Sequence, residues 1–135
     1  MKVFISHAHQ DETLARKVAA VLEADGLDVW DGSEIVPGEN WAEKISQALK
    51  ESEAMVVLLT PDALSNNWVR REIEYALSNK AYSKRLIPVL VGLPEDIPAE
   101  NIPWILRHMK MINLPQHGMI EEEIQQIAEA LKEVA

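Results

Sequence analysis

A continuous apolar run in the middle of the chain, residues 54–59, constrains the fold more than any other feature. A strand that is apolar at every position must be buried on both faces, which is typical of the centre of a parallel sheet covered by helices. Thr60 and Pro61 end the run. The sequence therefore predicts an α/β fold.

Further apolar segments alternate with helical patterns on both sides of this run. Strands are predicted at 2–6, 27–31, 85–91 and 110–113, and helices at 11–25, 41–49, 64–77 and 119–134. This alternation predicts one flavodoxin-like domain over 1–135, a three-layer sandwich with a five-stranded parallel sheet in the order 2-1-3-4-5. Pro88 lacks a backbone donor, so the fourth strand should lie off-centre or carry a bulge.

The helix predicted at 64–77 carries the most suggestive pair of side chains. Ser65 can cap this helix, and Trp68 and Glu72 are four residues apart, on one stripe at the flank of its apolar face. In the predicted topology a ligand crevice opens between the carboxyl ends of strands 1 and 3. The first turns of this helix should therefore hang over that crevice, with Glu72 lining it.

Composition excludes several classes of function. The formal net charge is −9 and the 13 Lys and Arg residues are scattered, which argues against binding to nucleic acid or to an anionic membrane. The chain has no cysteine, so it can form no disulfide and perform no thiolate chemistry. It opens directly into a strand without the long apolar region of a signal peptide. We therefore expect a cytoplasmic location.

Four ordered motifs resemble the boxes of the Toll/interleukin-1 receptor (TIR) domain family, and together they cover nearly the whole chain. They are Phe4–His7, Trp30–Asp31 with its following loop, Leu58–Pro61 and Ser65–Ile73. In TIR domains that cleave NAD+, the catalytic glutamate lies four residues after the tryptophan, which is Glu72 here. The resemblance implies an NAD+ glycohydrolase or cyclase that releases nicotinamide and linear or cyclic ADP-ribose as a signalling or defence effector.

The resemblance and the topology together name the candidate site. Glu72 would be the catalytic residue, Trp68 would stack on a planar ring, and the other candidate substrate contacts are Ser6, His7, Asp31 and Thr60. Asp31 could equally just end its strand. His9 and Arg71 could help to bind the phosphates, because the chain lacks a glycine-rich phosphate loop.

No metal and no cofactor are expected, since the departing nicotinamide is uncharged and NAD+ itself is the substrate. His7 and His9 alone would make a poor metal site. The three remaining tryptophans are predicted to be packing residues rather than ligand contacts: Trp30, Trp41 and Trp104.

The loop over 32–40 corresponds to the TIR loop that mediates assembly between domains. It places Ile35 and Val36 before Pro37 and Gly38. The resemblance implies that other TIR domains are partners, in a homo-oligomer or filament. Alternatively, the two apolar residues fold back onto the domain's own helices. Some family members carry a basic residue before the Pro-Gly pair, where this chain has Ser33 and Glu34.

Other functions also fit the pattern. A non-catalytic TIR interaction module would self-associate or recruit an adaptor without consuming NAD+. A nucleoside deoxyribosyltransferase-like enzyme would use a glutamate at the anomeric carbon of a deoxynucleoside and leave NAD+ intact. A phosphorelay receiver of the same topology fits worst, because strand 1 is not followed by an acidic pair and strand 3 ends at Thr60 rather than at an aspartate.

Overall fold

The fold is built on one five-stranded parallel sheet. The structure, a computed structural model, describes residues 2–31, 38, 40–78, 85–92, 97, 100, 102, 104–107, 109, 111–114 and 121–134. The strands are β1 (Lys2–Ser6), β2 (Asp28–Trp30), β3 (Ala54–Leu59), β4 (Leu86–Val91) and β5 (Ile112–Leu114). Their order in the sheet is β2-β1-β3-β4-β5, and every neighbouring pair is parallel. The predicted flavodoxin-like α/β fold is confirmed.

Helices cover both faces of the sheet. They are α1 (Glu12–Ala24), α2 (Trp41–Glu51), α3 (Pro61–Leu64), α4 (Asn67–Ser78), α5 (Trp104–Arg107) and α6 (Glu121–Val134). One apolar core joins the sheet to α1 and α6, and a second joins its other face to α2, α3, α4 and α5. No helix in the described part of the chain is long and apolar enough to cross a membrane.

Strand β3 is the centre of the sheet, as its apolar run predicts. All six of its residues are buried, with Val56 and Leu58 in one core and Met55, Val57 and Leu59 in the other. Residues of a strand point alternately to the two faces of a sheet, so a strand between two helical layers must be apolar at every position.

Strand β4 is off-centre, as Pro88 predicts. It lies between β3 and the edge strand β5, and its register with β3 runs without a bulge. Pairing with β5 begins only at Val89, one residue after the proline. Pro88 therefore lies where its missing N–H costs the β4–β5 ladder no hydrogen bond.

The helix predicted at 64–77 begins later than its sequence pattern indicates. Asn66, not Ser65, caps α4, because its side-chain oxygen accepts from the backbone N–H groups of Trp68 (2.8 Å) and Val69 (3.1 Å). The Ser65 hydroxyl instead donates to carbonyl oxygens of α3, a short helix that the sequence pattern did not predict. Two successive cap residues made the boundary ambiguous, and the side-chain geometry decides it.

Two of the tryptophans predicted to pack can be compared with the structure, because the side chain of Trp41 lies outside the described residues. Trp30 stacks on Phe4, with ring centroids 4.9 Å apart, so it is a packing residue. For Trp104 the prediction is wrong: its side chain is 62% exposed and lines a cavity of about 440 Å³ beside α4. An apolar residue in a four-residue helix has too little periodicity to reveal which way it faces.

Candidate active site

Glu72 lies on the buried face of α4. This helix packs against β1 and β3, and its buried residues are Val69, Glu72, Ile73 and Ala76. Glu72 is 7% exposed, so it lies deeper than the cleft-lining position predicted at the flank of that face. A carboxyl group with so little contact with water is rare unless it is paired or functional.

Burial raises the pKa of Glu72 to about 8, while the nearby Ser6 hydroxyl acts in the opposite direction. Removal from water disfavours the charged form of a carboxyl group, and neither of these two causes is a neighbouring positive charge. Burial of this carboxyl group therefore favours its protonated form. A cationic ligand beside it would favour ionisation.

Trp68 lies one helical turn before Glu72, at the surface. It is 37% exposed, and the guanidinium carbon of Arg71 is 5.5 Å from its ring centroid. This distance is typical of a cation–π contact. A planar ligand stacked on Trp68 would therefore lie close to a positive charge.

His7 joins the ends of the first two strands. Its Nδ1 lies 2.8 Å from the carbonyl oxygen of Ala8, and its Nε2 lies 2.8 Å from the carbonyl oxygen of Asp31. Both ring nitrogens therefore face backbone atoms. His7 could contact a phosphate only by giving up one of these contacts, so its geometry supports a role in holding Asp31 at the carboxyl end of β2.

The Thr60 hydroxyl group also makes its hydrogen bonds within the protein. The hydroxyl donates to the carboxylate of Asp11 over 2.5 Å and accepts from the backbone N–H of Ala63 over 3.1 Å, which caps α3. Asp11 was not singled out from the sequence, because it lies 49 residues away and no local pattern links the two. This pair ties the end of β3 to the start of α1.

The predicted site residues lie at the C-terminal ends of the strands. Ser6, Asp31 and Thr60 follow or end β1, β2 and β3 at their carboxyl ends, and Glu72 reaches the same region from α4. Of the loop predicted to mediate assembly, Ile35, Val36 and Pro37 lie outside the described residues, while Gly38 is exposed with a φ of +93°, which favours glycine. Within the described ranges, no three His, Asp or Glu side chains are grouped to bind a metal ion.

A model of the TIR domain family matches residues 3–131. The chain belongs to the TIR domain family. The match spans the sheet from β1 to β5 and most of α6. The resemblance inferred from four motifs is thereby confirmed.

Two relatives of this TIR domain are named as 2' cyclic ADP-D-ribose synthases, one of them as a probable one. A probable 2' cyclic ADP-D-ribose synthase, TcpO of Methanobrevibacter olleyae, is 25% identical over 97% of this chain and 38% of its own length. The 2' cyclic ADP-D-ribose synthase BtTIR of Bacteroides thetaiotaomicron is 28% identical over 62% of this chain and 30% of its own length. This chain thus spans about a third of the length of these relatives.

Among solved structures, the fold is similar to that of a metazoan TIR-STING receptor from C. gigas, solved in complex with 2',3'-cGAMP. The TM-score is 0.77 at 22% sequence identity, over 96% of this chain and 38% of that one. Similarity at this level of identity shows the fold alone.

Proposed function

We propose that this TIR domain cleaves NAD+ at the bond between nicotinamide and ribose, with Glu72 as the catalytic residue. The observation that carries the proposal is the buried carboxyl group of Glu72, which lies near the C-terminal ends of β1 and β3 and has a pKa raised to about 8. A structural glutamate would be paired or exposed. Burial instead favours the protonated form of Glu72, and a bound cation would favour its ionisation. The assigned activity of the relatives supports the same reaction.

The reaction needs a negative charge more than it needs an acid. Nicotinamide leaves NAD+ as a neutral base and takes the bonding electron pair, so the positive charge passes to an oxocarbenium-like ribose. An ionised Glu72 beside the ribose would stabilise that charge in a site sheltered from water, where electrostatic effects are strongest. No metal is required to activate the leaving group.

The oxocarbenium-like ribose is then captured by an oxygen nucleophile. Attack by water gives linear ADP-ribose, and attack by another hydroxyl of the same molecule gives a cyclic product; either nucleophile loses one proton. A carboxylate whose pKa lies near neutral is well suited to accept that proton as a general base. The names of the relatives favour the cyclic product for this chain.

Trp68 and Arg71 supply the remaining contacts in this proposal. The exposed indole ring would stack on a planar ring of the substrate, and the guanidinium group beside it would face the phosphates. Asp31, held by His7, would contact a ribose hydroxyl. Ser6 and Thr60 are less suited to direct contact, because Ser6 has no exposed surface and the Thr60 hydroxyl already bonds Asp11 and Ala63.

We further propose that the chain is a cytoplasmic signalling or defence effector that self-association activates. The family resemblance and the loop over 32–40 support this part. NAD+ and other TIR domains would be its partners, with no nucleic acid or membrane required.

Chromatography of NAD+ incubated with concentrated protein tests the proposed reaction. We expect nicotinamide to appear together with a cyclic ADP-ribose. Intact NAD+ with a self-associating protein would instead indicate an interaction module. Base exchange on deoxynucleosides with NAD+ left intact would indicate a deoxyribosyltransferase-like enzyme.

A further inference from the structure

The hydroxyl group of Ser6 is buried without a hydrogen-bond partner among the described residues. Ser6 is the last residue of β1, it is 0% exposed, and its hydroxyl oxygen makes no hydrogen bond of acceptable geometry there. A buried hydroxyl group that stays unpaired costs free energy, so such groups are uncommon unless they have a use. The Glu72 carboxyl group is also buried, and the Ser6 hydroxyl lowers its pKa.

We propose that Ser6 is a positioning residue for the Glu72 carboxylate. Its hydroxyl donates a hydrogen bond to one oxygen of the ionised carboxylate and leaves the other oxygen for the ribose. The inference rests on the proposed role of Glu72 in NAD+ cleavage, and it changes the role of Ser6 that the sequence suggests. Because Ser6 has no exposed surface, it acts on the substrate through Glu72 rather than by contact.

A serine hydroxyl suits this task because it can donate or accept. In the donating role it stabilises the Glu72 carboxylate once a cationic substrate has bound. Strand β1 holds the hydroxyl rigidly, since Ser6 is in register with Val57 of the central strand β3. Sites supported by strands are more exactly placed than sites on loops.

The charged surroundings of Glu72 do not offer an alternative partner within the described part of the chain. On α4 itself, Arg70, Arg71 and Glu74 are exposed and Tyr75 is half-buried. Strand β3 has no ionisable residue. The ionisable residues of the other neighbouring elements and of the same sheet edge are Lys2, His7, His9, Asp11, Asp31 and Asp62. None of these ten residues is among the causes of the altered pKa of Glu72, whereas Ser6 is.

The test compares Ser6→Ala with a matched control, Ser52→Ala. Ser52 is also a buried serine, but its hydroxyl donates over 2.7 Å to the carbonyl oxygen of Ala48 at the end of α2. The pKa of Glu72 is measured without substrate by NMR titration of ¹³C-labelled glutamate carboxyl groups, with the signal assigned from Glu72→Gln. Ser6→Ala should raise this pKa by about one pH unit, because the charged form loses its donor. Ser52→Ala should leave it unchanged.

Turnover of NAD+ gives the second readout. In the plot of kcat/KM against pH, the midpoint of the acid limb should shift to higher pH in Ser6→Ala by the same amount. In Ser52→Ala it should not shift. A pKa of Glu72 that does not move in a folded Ser6→Ala protein overturns the inference, even if NAD+ is cleaved. A raised pKa with no NAD+ cleavage by the wild type keeps the Ser6–Glu72 interaction and refutes the proposed reaction.

Discussion

Trp68 and Glu72 are one helical turn apart on α4, yet the first is 37% exposed and the second only 7% exposed. The helix therefore presents an aromatic ring at the surface and a carboxyl group beneath it. Such an arrangement allows a ligand to stack on the ring while its reacting end reaches the buried group. The two side chains should accordingly contribute to different steps, which substitutions can separate.

Trp68→Ala should weaken substrate binding while leaving the fold intact. Loss of a stacking contact worth about 1 kcal/mol corresponds to a rise in KM of about fivefold. The melting temperature should change little, because the ring is partly exposed. Trp104→Ala is the matched control, since this exposed tryptophan lies on the other side of α4 and should leave KM unchanged. An unfolded Trp68→Ala protein would show that the ring is a core residue.

The pH dependence of catalysis should report the ionisation of Glu72. The reaction uses the charged form, and burial raises the pKa of this group to about 8, so kcat/KM should rise with pH and level off above about 8. The bound cation lowers that pKa, so kcat should level off at lower pH. Steady-state rates measured from pH 6 to pH 9 check both curves. A kcat/KM that falls over this range would contradict the role of the carboxylate.

The same buried group should make stability depend on pH, whether or not NAD+ is cleaved. The unfolded chain releases the Glu72 proton near pH 4.5, whereas the folded chain keeps it until about pH 8. Its contribution to stability is therefore fully present below pH 4.5 and is lost as the pH rises through 8. Relative to Glu72→Gln, the wild type should lose about 3 to 4 kcal/mol of unfolding free energy between pH 5 and pH 9. Urea denaturation of both proteins at the two pH values measures this difference. An equal change in unfolding free energy for both proteins would mean that Glu72 is solvated.

Self-assembly through the loop over 32–40 is a separate prediction from the sequence. If Ile35 docks on a second copy, specific activity should rise with protein concentration, and Ile35→Asp should suppress both assembly and turnover by burying a charge in the interface. The melting temperature of the monomer should stay the same. Light scattering and rate measurements over a hundredfold range of concentration are the test. Specific activity that stays constant over that range and is unchanged by Ile35→Asp would exclude a role of the loop in assembly.

The sheet could be predicted from the sequence because its physical cause is local and periodic. The apolar run of β3 requires burial on both faces, and the alternation of strands and helices then leaves few topologies. The position of Glu72 on α4 followed from its spacing to Trp68, and its place at the sheet edge followed from the strand order.

The details of the site depend on contacts between residues that are distant in the sequence. Thr60 binds Asp11, and His7 binds the backbone of Asp31, so two predicted substrate contacts are partly used to hold the fold together. The depth of Glu72 and the closeness of Ser6 likewise arise from the packing of α4 against β1. No pattern within one segment encodes such contacts, and this is also why the exposure of Trp104 was missed.

The most direct test of the central claim is NAD+ cleavage by the wild type beside Glu72→Gln and Glu74→Gln. Both substitutions remove one carboxylate from α4 at nearly constant volume, but Glu72 is buried and Glu74 is exposed. We expect the wild type and Glu74→Gln to release nicotinamide at similar rates, and Glu72→Gln to release none above background while remaining folded by circular dichroism. Equal nicotinamide release by a folded Glu72→Gln protein would contradict the account.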